Sequence, residues 1–166
     1  YYKRYRRKNL KKLSEYIKKY FVLNKQSLNE KACLRKKTDI NFKLRTKFSS
    51  RISCELRKSG ISKRNNSYLN NIGYSIQQLK CHLENLFESW MNWNNYGKYN
   101  KSTWIDNDQS TWTWNIDHII PHSDLPYRSM SDENFKKCWA LSNLRPLSAK
   151  QNILDGVLRV RHIKNY

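Results

Sequence analysis

The stretch that decides the fold reads Trp112-Thr113-Trp114-Asn115-Ile116-Asp117-His118-Ile119-Ile120-Pro121. Its β-branched and aromatic residues suit a strand over 112–120, and Pro121, with no N–H to give, stops the pairing. Successive strand side chains point to opposite faces, so Asp117 and His118 cannot both face one core. One turns outward, or the backbone bends. Alone, such a dipeptide is a weak signal, and its continuation adds the weight. Ser131 caps a short helix through Trp139, and Ala140 to Leu147 reads as a second strand. Ser148 then caps a helix carrying Lys150 and Asn152, with Gly156 at its end. The order strand, strand, helix places Asp117 and His118 at the end of the first strand, Asn143 in the second and Asn152 on the helix.

Upstream, Ser75 with Gln78 three residues later is a capping-box signature. Ile76, Leu79, Leu83, Leu86, Phe87 and Trp90 follow at helical spacing and read as core, with His82 as a packing or surface histidine. Residues 91–111 read as an irregular loop in which Trp104, with Trp112 and Trp114 beyond it, serves as an anchor, and Asp106 and Asp108 fit a turn. Before a polar link at Ser62 to Asn71, Ile40, Leu44, Phe48, Ile52 and Leu56 recur every four residues. This predicts an amphipathic helix from a Thr38 or Asp39 cap to Gly60. Its polar surface, with Lys43, Lys47 and Arg51, is a candidate DNA-backbone contact.

The chain has 166 residues, which allows one compact domain with an appended arm, and 33 Lys and Arg against 13 Asp and Glu leave a formal charge of +20. Such an excess points to a polyanion, most often nucleic acid. Residues 1–64 hold 22 Lys and Arg against 4 Asp and Glu, net +18, whereas residues 65–166 hold 11 against 9, net +2. The excess therefore sits in a basic, helical N-terminal arm, with Tyr5, Tyr16 and Tyr20 interleaved. No apolar run approaches a membrane span and no signal-peptide pattern follows the basic start, so the expectation is an intracellular protein, not a secreted one. Cys33, Cys54, Cys81 and Cys138 form no C-x-x-C pair and are expected to be reduced and mostly buried.

The segments Ile116-Asp117-His118-Ile119-Ile120-Pro121, Ser142-Asn143-Leu144-Arg145-Pro146-Leu147 and Ala149-Lys150-Gln151-Asn152 together resemble the HNH nuclease family, whose ββα-metal finger bears an Asp-His pair, a central Asn and a final His or Asn on the helix. The similarity extends upstream to the lead-in of phage and viral HNH endonucleases, free-standing or homing, and covers most of residues 38–156. It implies that His118 is the general base, that Asn143 fixes the loop bearing it, and that Asp117 and Asn152 hold one divalent metal. A near-neutral imidazole suits proton removal from water. A carboxylate with an amide oxygen suits Mg²⁺ or Mn²⁺. Arg145 and Lys150 are candidate phosphate contacts, and His122 either touches a phosphate or holds the turn. Two departures stand out: the last metal position is Asn152 rather than His, and 24 residues separate His118 from Asn143.

The expected architecture is α+β: a basic helical arm over 1–64, a packing helix with a Trp/Asn-rich loop over 65–111, and a ββα-metal finger with a tail that includes His162 over 112–166. The expected partner is double-stranded DNA, with no membrane. The resemblance suggests the host cytoplasm or nucleoid for a phage-encoded enzyme. A monomer would nick; a homodimer would cut both strands. The alternative is a non-catalytic nucleic-acid-binding protein that keeps the finger as a scaffold.

Overall fold

The computed structural model describes residues 2–58, Gly60 and 67–163, with side chains between Arg4 and Leu158. It is α+β, mostly helical, with one two-stranded antiparallel sheet. The chain divides after Lys43 into two compact units.

The first unit holds α1 (Tyr2–Lys8) and α2 (Leu10–Thr38). No Gly or Pro occurs before Gly60, and Leu, Lys, Arg, Glu, Gln and Ala favour the helix. Along the 29 residues of α2 no side chain is buried, so its stability does not come from core packing. The helix stops where Asp39 turns extended, and the Asp39 carboxylate accepts the Phe42 N–H at 2.9 Å to start α3 (Ile40–Lys58).

From Leu44 onward α3 belongs to the second unit. Leu44, Phe48, Ile52 and Leu56 are at most 4% exposed, and each such burial is worth roughly 1.5–3 kcal/mol. This stripe explains why the division falls after Lys43 rather than at the charge boundary near residue 64. Beyond Leu56, Gly60 takes φ +75°, the left-handed backbone that glycine tolerates past a helix end. The link expected over 62–71 lies partly outside the described residues; its end forms α4 (Leu69–Ile72), closed by Gly73 at φ +74°.

α5 (Ile76–Asn85) opens with both halves of the capping box, Ser75 Oγ accepting from Gln78 N and Gln78 Oε1 accepting from Ser75 N. The helix ends at Asn85, five residues short of the expected Trp90. Leu86 is left exposed, and Phe87 turns its ring onto Trp93 and Trp114, with centroids 5.4 and 4.7 Å away. Packing around Trp114, fully buried and stacked on Tyr96 at 4.6 Å, outweighs another helical turn. His82 is a packing residue: its Nε2 lies 2.8 Å from the Leu144 carbonyl and ties α5 to the sheet.

β1 (Trp114–His118) pairs antiparallel with β2 (Leu144–Ser148), Asp117 opposite Arg145 and His118 opposite Leu144. Both strands are shorter than their sequence patterns. Trp112 is drawn into a stack with Trp104, and Leu141–Asn143 forms a tight helical turn instead of extending β2. Between the strands, α6 (Glu133–Cys138) follows Asp132 rather than Ser131, because the Asp132 carboxylate gathers the Arg128 and Ser129 N–H groups and holds the entry turn. Ser148 then starts α7 (Ala149–Ile163), which runs through Gly156 instead of ending there. Gly156 has no positive φ, so nothing stops the helix at it. The cysteines are all free, but only Cys138 is buried. Cys33 and Cys81 are exposed, the first on α2 and the second on the face of α5 opposite its core stripe.

Candidate functional site

The site grows from β1. Asn115 and Asp117 lie two residues apart and share one face of the strand, whereas Ile116 and His118 alternate to the other. At the strand end both kinds of side chain border one cleft of about 480 Å³. α3 supplies Lys47, Phe48 and Arg51 to its wall, the segment before β1 supplies Tyr96 and Lys98, and α7 supplies Asn152. Pro121, His122 and Trp139 complete it.

Asp117 is 6% exposed, and its Oδ2 accepts from Arg145 Nε at 2.9 Å across the strand pair. Asn152 donates its amide to Asn115 Oδ1 at 2.6 Å, which leaves its oxygen as the atom with ligand character. His118 stands edge-to-face against Trp139 at 4.9 Å, with Nε2 enclosed and no hydrogen-bond partner. Burial, aided by the neighbouring His122 and Arg51 charges, pushes its pKa down to about 4, so the ring is neutral at pH 7 and keeps a lone pair. Asn143 is 5% exposed and clamps the turn after β1. Its Oδ1 accepts from Ile120 N at 2.7 Å, while its amide donates to the Ile120 carbonyl at 3.2 Å and the Cys138 carbonyl at 2.9 Å.

The remaining site residues named from sequence divide. Lys47 and Arg51 border the cleft, with Lys47 Nζ 3.8 Å above the Tyr96 ring. Lys43 falls in the first unit. Arg145 is committed to Asp117, and Lys150 reaches away from the cleft to pair with Asp106 in the 91–111 loop. His122 borders the cleft, its ring edge-to-face with Tyr127 at 4.9 Å. Its pKa is lowered, mainly by burial, against the pull of Glu55.

Sequence reasoning missed Tyr96, Lys98, Asn115 and Glu55. Asn115 is detectable as the residue two before Asp117, hence on the same face. Glu55, the sole carboxylate within α3, lies three residues after Ile52 on the buried side, yet that signal is lost among the surrounding cations.

Among the described residues no three His, Cys, Asp or Glu side chains gather as a cation site. The oxygen donors at the cleft are one carboxylate, Asp117, and the amides Asn115 and Asn152. That set matches a hard, water-rich cation such as Mg²⁺ or Mn²⁺ and not zinc, which favours imidazole and thiolate. No described helix is long and apolar enough to cross a membrane.

No family model matches the chain, and no solved structure matches it. In sequence it is similar to an uncharacterised protein of Acanthamoeba polyphaga mimivirus, 28% identical over 138 residues. The match takes in 83% of this chain and 52% of that protein, so the chain spans about half the length of its viral relative.

Proposed function

We propose that the chain is an HNH-type, metal-dependent DNA endonuclease, with β1, β2 and α7 as its ββα-metal finger. The observation that carries the reading is the convergence of Asp117, His118 and Asn152 on one cleft, with Asn143 fastening the turn behind His118. Asp117 and Asn152 would hold Mg²⁺ or Mn²⁺, which when bound supplies positive charge to the phosphate and the departing 3′ oxygen. His118, neutral before substrate enters, takes a proton from the attacking water. With Nε2 enclosed, Nδ1 is the nitrogen left for this task. An incoming phosphate brings negative charge that raises the imidazole's basicity toward neutral pH, where general-base catalysis is most effective. Asn143 keeps the turn from Ile119 to Pro121 from swinging the ring away. Lys47, Arg51 and Lys98 border the same cleft with charge suited to the DNA backbone. One such finger nicks one strand, and a double-strand break requires two.

The test is plasmid nicking with Mg²⁺ or Mn²⁺, each with and without EDTA. The parent protein is expected to convert supercoiled to open-circular DNA only with metal, and His118→Ala is expected to lose about 10²–10⁴-fold in rate. Equal nicking by the two proteins removes His118 from the reaction. DNA binding with no nicking by the parent establishes the scaffold alternative instead.

A further inference from the structure

Three polar or charged side chains are buried among the described residues: Asp117, Asn143 and Glu55. The first two have places in the proposed reaction. Glu55 has none, and a buried carboxylate is costly unless charges or hydrogen bonds compensate it.

Its partners show where it acts. Glu55 Oε1 lies 3.1 Å from Arg51 Nε and 3.1 Å from Lys58 Nζ, and Oε2 lies 3.8 Å from His122 Nδ1. Glu55 is 6% exposed, whereas the Arg51 side chain is 60% exposed, so the buried anion fixes a cation that would otherwise range through solvent. Both Arg51 and His122 border the cleft. Arg51 meets Glu55 through Nε, the inner nitrogen of the guanidinium. That contact leaves the two outer nitrogens as a fork matching two oxygens of a phosphate.

We propose that Glu55 is a positioning residue, holding the Arg51 fork toward a backbone phosphate in the cleft and seating His122 beside it. A long arginine side chain has many rotamers, and a fork held in advance surrenders less of that freedom on binding. The identification of the anion as a DNA phosphate rests on the nuclease reading; the arrangement of Glu55, Arg51 and His122 does not.

The experiment measures the affinity of the full chain for a short DNA duplex in EDTA, so that no cleavage intervenes. A salt concentration of about 0.2 M weakens the diffuse attraction of the basic arm. Glu55→Gln removes a negative charge, so bulk electrostatics alone predicts tighter binding. Positioning predicts the opposite, a loss of about five- to tenfold. Arg51→Ala is expected to lose about tenfold, and Glu55→Gln added to it to cost nothing more, because the residue that Glu55 positions is gone. Arg51→Lys keeps the charge without the fork and leaves the carboxylate partnered, so it covers the case in which Glu55→Gln fails to fold. It is expected to lose as much as Arg51→Ala. Tighter or unchanged binding by Glu55→Gln, an additive double variant, or parental affinity in Arg51→Lys each overturns the proposal. Coupled binding in a chain that never nicks DNA removes the nuclease reading alone. Metal-dependent nicking without the coupling removes this inference alone.

Discussion

Asn143 uses a single amide to satisfy both backbone groups of Ile120 and the Cys138 carbonyl, at a position 5% exposed. Leucine at this position would supply volume but no partner, stranding the buried Cys138 carbonyl and loosening the part-buried Ile120 backbone groups, where a buried group left unpaired costs about 1–3 kcal/mol. Asn143→Leu is therefore expected to lower unfolding free energy by about 2–4 kcal/mol in a urea titration. A loss below about 1 kcal/mol would show that the turn finds other partners. The same scale explains why Arg145 and Lys150 do not line the cleft. Each has a carboxylate within reach, Asp117 across the strand pair and Asp106 in the 91–111 loop, and a nearby anion captures a cation that sequence position alone assigned to DNA.

Among the elements, two glycines have opposite physical roles. Gly73 closes α4 at φ +74°, with open space where a Cβ would stand, so an alanine there meets backbone strain and no steric clash. Gly156 sits inside α7, also with open space around it and without a positive φ, so an alanine there gains helix propensity. Gly73→Ala is expected to destabilise by about 1–2 kcal/mol, and Gly156→Ala to stabilise by about 0.5–1 kcal/mol. Thermal unfolding of the two variants beside the parent reads both. A stabilising Gly73→Ala or a destabilising Gly156→Ala reverses the assignment. The α7 comparison also bears on the site, since this helix carries Asn152 and its first turn hangs on the Ser148 hydroxyl.

Across the whole molecule, residues 1–37 hold 14 Lys and Arg against 2 Glu, and no side chain of α2 is buried. Such an element has little to lose as a folding unit when removed and much to lose as a polycation. Deleting residues 1–37 is expected to weaken binding to duplex DNA and to flatten the dependence of log affinity on log salt, by roughly 0.9 for each phosphate contact given up. An unchanged slope would show that the arm does not engage DNA. Unfolding of the remaining chain is expected to stay cooperative, because the core from Leu44 through Ala149 lies outside the deleted segment.

The α+β character, the capping box at Ser75, the α3 stripe and the order of β1, β2 and α7 were all legible in sequence. Each is a local matter of side-chain period, cap chemistry and turn residues acting within a few positions. The ends of elements were less legible. α5 stops at Asn85 and α7 continues through Gly156 because aromatic packing on Trp114 and the lack of any competing turn are properties of the assembled chain. The cleft divides in the same way. Asp117, His118, Asn143 and Asn152 stand out through the family resemblance that their segments carry, but nothing near Glu55 in sequence says that it meets His122, sixty-seven positions later. Local chemistry is written along the chain, whereas the pairing of distant charges is decided only when burial makes an unpartnered one too costly to keep.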